Sequence, residues 1–389
     1  MWTLRWIAAW LFIVLAPAYG FAGQPAGFYN SSQLDLSAAH GKLLRYEPLQ
    51  VPLFYRAKAW RILYATRDYA GRPVASSGFV IQSDYAPGMS DRPIVAWAHP
   101  ATGIAQICAP SLRNSPVISI AGISELIAGG YVIVATDYPG LGTTGPMGLL
   151  VGKAEGQAVL DSVLAARQIP GIGAGTRFAL WGHSEGGHAA LFASAMSKNY
   201  TPGLSLVGTA IAAPPTNFKE LLQDDGHSID GRILMAMAVR SWSTTYRLPL
   251  KTLANRDAMP AIAKISSTCL NSMGDMLALL ADQQALPPAF LNSNLSVQNA
   301  WTELLRKNSP STDRQKSPIF VSQGKNDNLV KPSVTAQFVR QLCSSGDHVT
   351  YDFMGTADHE NTARLSAAAA ISWIGNLFEY RPVINSCMH

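Results

Sequence analysis

Two patterns of apolar and polar residues alternate along the chain. Short apolar runs bounded by turn residues predict buried strands, whereas apolar residues that recur every three or four positions predict helices. The predicted strands are 59–66, 74–82, 94–98, 131–136, 178–181, 204–212, 319–322 and 349–354. The clearest helical pattern is 155–168, where Val159, Leu160, Val163 and Leu164 fall on one side. Strands that alternate with helices predict an α/β fold with a doubly wound, mainly parallel sheet.

The start of the chain gives weaker signals. The stretch before about Val51 shows no strong periodicity, and we expect it to wrap the surface. Between the first two predicted strands, Asp68-Tyr69-Ala70-Gly71 consists of residue types that favour tight turns. This segment predicts a hairpin.

The alternation stops between about Thr216 and Pro318. This stretch is too long for a loop in a compact domain, and it contains apolar, helix-like segments at 233–239 and 276–280. We expect a helical cap set over the carboxyl edge of the sheet. The alternative is an independent helical packing domain without a role at the functional site. The predicted division is a sheet domain at 24–215 and 318–389, with the cap at 216–317.

Residues 1–23 have the composition of an export signal. They carry Arg5, then an apolar segment over 6–15, then Pro17 and several small residues. This order is typical of a secretory signal peptide, so we expect a periplasmic or secreted protein. An uncleaved membrane anchor is disfavoured because the apolar segment is short for a bilayer span. No later segment has the length and apolar character of a span.

The number of cysteines predicts covalent cross-links in an exported chain. The chain has four cysteines, Cys108, Cys269, Cys343 and Cys387. An even number in an exported chain favours two disulfides, and three pairings are open. No Cys-x-x-Cys spacing is present, which disfavours a zinc or redox site.

Composition excludes some classes of function. Charged residues make up 14% of the 389 residues and apolar residues 48%, which favours a large core over long disordered stretches. The net charge of +5 is spread thinly, without an extended run of Lys or Arg. We therefore expect no nucleic-acid binding.

The segment Trp181-Gly182-His183-Ser184-Glu185-Gly186-Gly187 is the strongest candidate for chemistry. A strand pattern stops there and a helix-prone stretch at 189–195 follows, which predicts a sharp turn with Ser184 at its tip. In a Gly-x-Ser-x-Gly turn, glycines on either side let strand and helix approach closely, and the serine hydroxyl projects into open space. The backbone N–H of Glu185 would then face an oxyanion formed at Ser184. The alternative is an inert turn.

A serine nucleophile needs a base, and the base needs a carboxylate that orients it. In this type of sheet both partners follow later strands, in the order serine, acid, histidine. Asp327 follows the predicted strand at 319–322, and His359 follows the strand at 349–354. We expect these two side chains to reach Ser184 at one edge of the sheet.

Other titratable residues are weaker candidates. His183 and His188 lie on the turn and its helix, from which they cannot swing round to the serine, so packing or polar contacts are expected. Asp358 is a weaker candidate for the acid because it directly precedes His359, and neighbouring side chains in a loop usually diverge. His227 and the aspartates of the cap would need the insertion to fold back.

The loop after the third predicted strand is expected to supply a second oxyanion donor. Its sequence is His99-Pro100-Ala101-Thr102-Gly103. Pro100 has no N–H, so Ala101 or Thr102 is the expected donor. His99 fits a structural hydrogen bond better than a catalytic role, and 137–142 predicts a tight turn that lines the site.

These motifs together resemble a bacterial member of the secretory lipase family, within the α/β-hydrolases. The shared features are the His99-Pro-Ala-Thr-Gly loop followed by Cys108-Ala-Pro-Ser, the Asp137-Tyr-x-Gly-x-Gly turn, the elbow at Ser184, Gln323-Gly-x-x-Asp327, and His359. The resemblance spans nearly the whole mature chain.

The resemblance implies an α/β-hydrolase fold with helices on both faces of the sheet and an inserted cap. It implies a triad of Ser184, Asp327 and His359, with Thr102 and Glu185 at the oxyanion hole. It further implies the disulfides Cys108–Cys269 and Cys343–Cys387, the first tying the oxyanion loop to the cap. No metal, organic cofactor or obligate protein partner is implied.

The expected activity is hydrolysis of carboxylic esters, such as lipid esters at a lipid–water interface, through an acyl-enzyme on Ser184. An apolar, methionine-bearing cap favours long or bulky acyl chains, but the packed core of a cap would have the same composition. With the resemblance, the expected enzyme is a triacylglycerol lipase. Esterase, acyltransferase and peptidase activities use the same triad and remain open. A non-catalytic binding protein on the same fold is the alternative from another class.

Overall fold

A computed structural model describes residues 27–37, 39–85, 88–224, 228–291, 299–313 and 315–388. The predicted signal peptide at 1–23 and the candidate His227 lie outside these residues. Within them, no helix has the length and apolar character needed to cross a bilayer.

The centre of the fold is one sheet, which in the described part of the chain has nine strands. These are β1 (Leu43–Leu49), β2 (Ala57–Arg67), β3 (Pro73–Ser83), β4 (Arg92–Ala98), β5 (Val132–Thr136), β6 (Ala174–His183), β7 (Ser205–Ala212), β8 (Ile319–Gly324) and β9 (Val349–Met354). Their order is β1-β2-β3-β5-β4-β6-β7-β8-β9. The pairs β1/β2, β2/β3 and β3/β5 are antiparallel, and all the others are parallel. The predicted mainly parallel sheet is confirmed.

Helices cover both faces of this sheet. They are α1 (Ile123–Ala128), α2 (Gly152–Ala166), α3 (Glu185–Tyr200), α4 (Phe218–Asp224), α5 (Ile229–Thr245), α6 (Met259–Ser266), α7 (Met273–Gln283), α8 (Asn299–Asn308), α9 (Pro332–Ser344) and α10 (His359–Phe378). Val159 of α2, Ala190 of α3 and Phe338 of α9 join one apolar core with the sheet. Leu126 of α1 and Ile374 of α10 join a second core on the opposite face. The two cores make the sheet the buried middle layer.

One prediction about the start of the chain is wrong. The stretch before Val51 does not only wrap the surface, because Leu43–Leu49 forms the edge strand β1. The residues of β1 are only half-buried or exposed, so they lack the continuous apolar run that marks the central strands. The ladder to β2 stabilises an edge strand that its own sequence pattern does not reveal.

The hairpin between β2 and β3 closes as its sequence predicts. The carboxylate of Asp68 accepts hydrogen bonds from the backbone N–H groups of Ala70 and Arg72, both at 2.9 Å. Short side chains that bond to nearby backbone groups stabilise such turns. The N-terminal strands are therefore joined locally, whereas the parallel strands need helical crossovers.

The topology brings the chemistry to one edge of the sheet. Strands β4, β6, β8 and β9 run parallel, so the loops after Ala98, His183, Gly324 and Met354 all leave the same edge. Helices α4 to α8, in the stretch predicted as a cap, follow β7 and precede β8. Ligand sites in parallel sheets lie beyond the carboxyl ends of the strands.

The approach of α3 to β4 depends on Gly186. A Cβ atom at this position would lie 1.9 Å from the backbone oxygen of Ala98. Because the clash is with backbone, a change of side-chain rotamer cannot relieve it. We expect Gly186→Ala to lower the free energy of unfolding by about 3 kcal/mol, because the strand and helix must separate. Thermal unfolding followed by circular dichroism measures this loss.

The matched control for this prediction is Gly203→Ala. A Cβ atom at Gly203 meets nothing within 4 Å, so this variant should unfold like the native protein. Equal melting temperatures for the two variants would show that the close approach at Gly186 is not a constraint.

Candidate active site

Ser184 sits at a strained turn between β6 and α3. Its backbone has φ 53° and ψ −120°, in the region that residues with a Cβ atom rarely adopt. The Ser184 N–H donates to the backbone oxygen of Ala212 on β7 at 2.9 Å, and the Ser184 carbonyl accepts from His188 N–H at 3.0 Å. Strand and helix thereby fix the turn from both sides, which holds the hydroxyl at its tip.

The structure brings His359 and Asp327 to this hydroxyl. His359 Nε2 lies 2.8 Å from Ser184 Oγ, and His359 Nδ1 lies 2.9 Å from Asp327 Oδ2. All three side chains are almost fully buried. Asp327 follows β8, and His359 follows β9 as the first residue of α10. The three side chains form one hydrogen-bonded line, in the arrangement that activates a serine nucleophile.

The partners of Asp327 fix the direction of the protons in this line. Asp327 Oδ1 accepts from the backbone N–H groups of Val330 at 2.8 Å and Leu329 at 3.0 Å. Its Oδ2 accepts from Gln323 Nε2 at 2.9 Å. An oxygen surrounded by donors is an ionised acceptor, so His359 Nδ1 donates to it and His359 Nε2 is left to accept the Ser184 proton.

The competing acid has a different task. Asp358 caps α10, with its carboxylate accepting from Asn361 N–H at 2.9 Å. That bond holds the pKa of the Asp358 carboxyl below its ordinary value. The side chain therefore stabilises the first turn of the helix that carries His359.

The histidines beside the elbow also have other partners. His183 Nε2 lies 3.0 Å from the carbonyl oxygen of His359, to which it donates. Burial and the nearby His359 lower the pKa of His183 to about 3, so it stays neutral. His99 lies against the carbonyl oxygens of Pro100, at 2.7 Å, and Asp137, at 3.4 Å. Burial lowers the pKa of His99 to about 4. Both histidines contact backbone and support the loops around the site.

The loop predicted to carry an oxyanion donor borders the same space. Thr102 lines a vestibule together with Ser184 and His359. Glu185 is the first residue of α3, where backbone N–H groups have no partner within the helix. The Thr102 hydroxyl is buried and has no hydrogen-bond partner among the described residues. Thr102 and the first backbone N–H of α3 therefore lie beside the space that Ser184 faces.

Two disulfides are present, and they join the pairs that the resemblance implies. Cys108 is bonded to Cys269, and Cys343 is bonded to Cys387. The first bridge packs on the loop at 99–103, since a Cβ atom at Gly103 would lie 2.8 Å from Cys108 Sγ. It ties this loop to the segment between α6 and α7.

Two cavities of different character meet at Ser184. One is a chamber whose walls are apolar apart from Ser184 and Glu185. Its main walls are Leu150, Phe218, Leu234, Met235, Val239, Trp242, Trp301 and Leu329. The other is a vestibule, which includes the polar residues Arg113, Asp230, Asn271 and Glu360. The serine thus stands between an apolar space and a more polar one.

Beneath the elbow lie two buried glutamates that sequence reasoning missed as a pair. Glu155 on α2 and Glu185 on α3 face each other, and no cation neutralises them among the described residues. Burial raises the pKa of Glu155 to about 8, and burial and the Glu155 charge raise the pKa of Glu185 well above its ordinary range. Both positions fall on regular helical patterns, so the sequence gives no sign that they meet.

The contacts of His188, together with its lowered pKa, also favour the neutral form of Glu155. His188 Nε2 lies 2.7 Å from the carbonyl oxygen of Asn308 and must donate to it. Burial lowers the pKa of His188 to about 4, so its Nδ1 carries no proton at neutral pH. Nδ1 lies 3.1 Å from Glu155 Oε2. Glu155 must therefore be the donor, as a protonated carboxyl.

This assignment predicts how Glu155→Gln changes stability with pH. A glutamate in the unfolded chain ionises near pH 4.5, whereas folded Glu155 keeps its proton to about pH 8. Between these pH values the glutamate ionises only in the unfolded chain, so the stability of the native protein falls as the pH rises. A glutamine amide can still donate to His188, so the variant should melt like the native protein at pH 4.5 and about 2 °C or more higher at pH 8.

Thermal unfolding at both pH values tests this prediction, with the exposed Glu125→Gln as the control. A lower melting temperature for Glu155→Gln at pH 8 would instead indicate an ionised Glu155 paired with a protonated His188.

Comparisons with known proteins show the family to which the chain belongs. A family model described as secretory lipase matches residues 116–386. Lipase 10 of Candida albicans is 24% identical over 400 residues, which cover 94% of this chain and 82% of that protein.

Solved structures share the fold. Candida antarctica lipase A in its closed state has a TM-score of 0.78 at 18% identity, covering 93% of this chain and 87% of that one. A rice cell wall degrading esterase, LipA of Xanthomonas oryzae, has a TM-score of 0.71 at 18% identity, covering 89% and 100%. Since the family model spans well over half of the sequence, the chain belongs to the secretory lipase family and is a carboxylic ester hydrolase with the α/β-hydrolase fold.

Proposed function

We propose that the protein is an exported triacylglycerol lipase that forms an acyl-enzyme on Ser184. The observation that carries this proposal is the hydrogen-bonded line from Ser184 Oγ through His359 to Asp327, placed at the mouth of an apolar chamber. The family name and the two disulfides support export, and we assign residues 1–23 to a cleaved signal peptide.

The reaction follows from the proton positions at the site. His359 Nε2 takes the proton of Ser184 as its oxygen attacks the ester carbonyl, and Asp327 stabilises the imidazolium. The backbone N–H groups of Glu185 and Thr102 hold the oxyanion of the tetrahedral intermediate. His359 then gives its proton to the departing alcohol. Water, deprotonated by the same imidazole, attacks the acyl-enzyme and releases the fatty acid.

The chamber is where we place the acyl chain. Helices α5 and α8 supply much of its wall, with Leu234, Val239 and Trp242 from the first and Trp301 from the second. We therefore assign residues 216–317 to a cap that forms the acyl site, and residues 24–215 and 318–389 to the catalytic domain. Burying each methylene of a substrate in such a space contributes about 0.8 kcal/mol.

A series of p-nitrophenyl esters tests the lipase proposal. We expect kcat/KM to rise by up to about fourfold for each added methylene until the chamber is filled. Ala238 lines the chamber, and Ala238→Trp should remove this gain while leaving acetate hydrolysis intact. The Ser184→Ala variant, which lacks the nucleophile, should lose at least about 1,000-fold in kcat on every ester.

A flat profile across chain lengths would identify an esterase for short acyl groups. Faster transfer to added alcohols than to water would favour an acyltransferase, and turnover of amides a peptidase. Full activity of Ser184→Ala would show that Ser184 is not the nucleophile.

The identity of the acid is tested by two isosteric variants. Asp327→Asn loses the charge that stabilises the imidazolium, so we expect kcat to fall by about 10,000-fold with an unchanged circular dichroism spectrum. Asp358→Asn keeps an oxygen that can cap α10, so its kcat should change little. The reverse order of damage would assign the acid to Asp358.

A further inference from the structure

Helix α7 has an apolar outer face. Met273 is 77% exposed, Leu277 62% and Leu280 36%. These positions are spaced as i, i+4 and i+7, so they form one stripe along the helix, which Ala281 widens. A helix at the surface of a soluble protein normally carries polar residues on this side.

The charges of α7 do not lie on this stripe. Asp275 is held at the start of the helix, where its carboxylate accepts from Ser272 Oγ at 2.6 Å. Asp282 is buried and lies 2.5 Å from Lys264 Nζ. No Lys or Arg is present in α7. The outer stripe is therefore uncharged as well as apolar.

The stripe borders the entrance to Ser184. Met273 and Met276 line the vestibule that contains Ser184 and His359. The segment before α7 is fixed to the oxyanion loop, since Leu270 N–H donates to Thr102 O at 2.9 Å. Helix α7 therefore has a fixed position relative to the proposed nucleophile.

Another exposed apolar residue lies next to Cys108, which is bonded to Cys269 before α7. Ile107, next to Cys108, is 58% exposed. Arg113 of this segment donates from Nη2 to the backbone oxygen of Asn271 at 3.3 Å, so the segment contacts the chain that leads into α7. Ile107 is thus an exposed apolar residue on the segment that the Cys108–Cys269 bridge joins to the chain before α7.

We propose that the stripe of Met273, Leu277 and Leu280 docks the protein on a lipid surface, with the entrance to Ser184 facing the lipid. This inference rests on the proposed lipase function. Moving an acyl chain from lipid into water costs about 0.8 kcal/mol per methylene. With the entrance held against the lipid, the chain reaches Ser184 without that transfer. Because the stripe is uncharged, insertion of apolar side chains provides the binding. Zwitterionic phosphatidylcholine vesicles, which carry no net charge, therefore suffice, and salt has little effect.

A second copy of the chain is the competing occupant. Three large side chains and an alanine on one helix cover far less than the about 800 Å² per partner that a stable dimer needs. Light scattering between micromolar and millimolar concentrations tests this competitor. A dimer that the stripe variant abolishes would overturn the proposal.

The test uses the double variant Leu277→Ser/Leu280→Ser, whose positions do not line the vestibule or the chamber. We expect vesicle binding and hydrolysis of a triolein emulsion to fall at least about tenfold, because two leucine side chains no longer insert. Hydrolysis of soluble p-nitrophenyl acetate should not change. Equal binding of variant and native protein to vesicles, or an equal loss on the soluble ester, would overturn the proposal.

The matched control is Leu53→Ser/Ile384→Ser. Both residues are more exposed than the stripe leucines. They lie at the opposite edge of the sheet, before β2 and after the end of α10. This variant should bind vesicles and hydrolyse triolein like the native protein, whereas a comparable loss would show that any exposed apolar residue has the same effect.

A second measurement does not depend on a loss of binding. Leu277→Trp places a reporter on the stripe, and we expect its fluorescence to shift to shorter wavelength on phosphatidylcholine vesicles. No shift would exclude insertion of α7. Ser184→Ala should still bind vesicles. If the native protein binds vesicles but leaves triolein intact, the lipase proposal fails and docking stands; if it hydrolyses triolein regardless of the stripe, only docking fails.

Discussion

The position of Ser184 depends on the close approach of a helix and a strand at Gly186. Because Gly186 has no Cβ atom, α3 can begin directly after β6 and lie against the end of β4. Ser184 is thereby held at the tip of a strained turn. The parallel order of β6, β7, β8 and β9 then delivers the loops of Asp327 and His359 to the same edge. The hydrogen-bonded line between three distant residues is therefore a consequence of sheet topology and of the missing side chains at Gly182 and Gly186.

The site contains carboxyl groups in two opposite environments. Asp327 is surrounded by N–H donors and accepts from each of them, which suits the ionised form that orients an imidazole. Glu155 and Glu185 are also buried, but no cation lies beside them in the described part of the chain, and burial raises the pKa of both carboxyl groups. The contact of the Glu155 carboxyl with His188 Nδ1 fits the neutral acid. Burial alone does not decide the charge of a carboxyl; its neighbours do.

The sequence predicts the parts of this structure that depend on local pattern. The central strands are continuous apolar runs, and the elbow has a steric signature, so the order of elements and the meeting of Ser184, Asp327 and His359 could be anticipated. The edge strand β1 could not, because its stability comes from the ladder to β2 and not from its own half-buried residues. The support that Gln323 gives to Asp327 and the pairing of Glu155 with Glu185 depend on how elements pack, which no periodicity encodes.

The central claim is that the fold activates one hydroxyl, that of Ser184. Labelling with a fluorophosphonate, followed by digestion and mass spectrometry of the peptides, tests it most directly. The account predicts a single covalent adduct on Ser184 that does not form in denatured protein, because the hydroxyl is reactive only beside His359. A folded protein that stays unlabelled, or that carries its adduct on a different residue, would contradict the account.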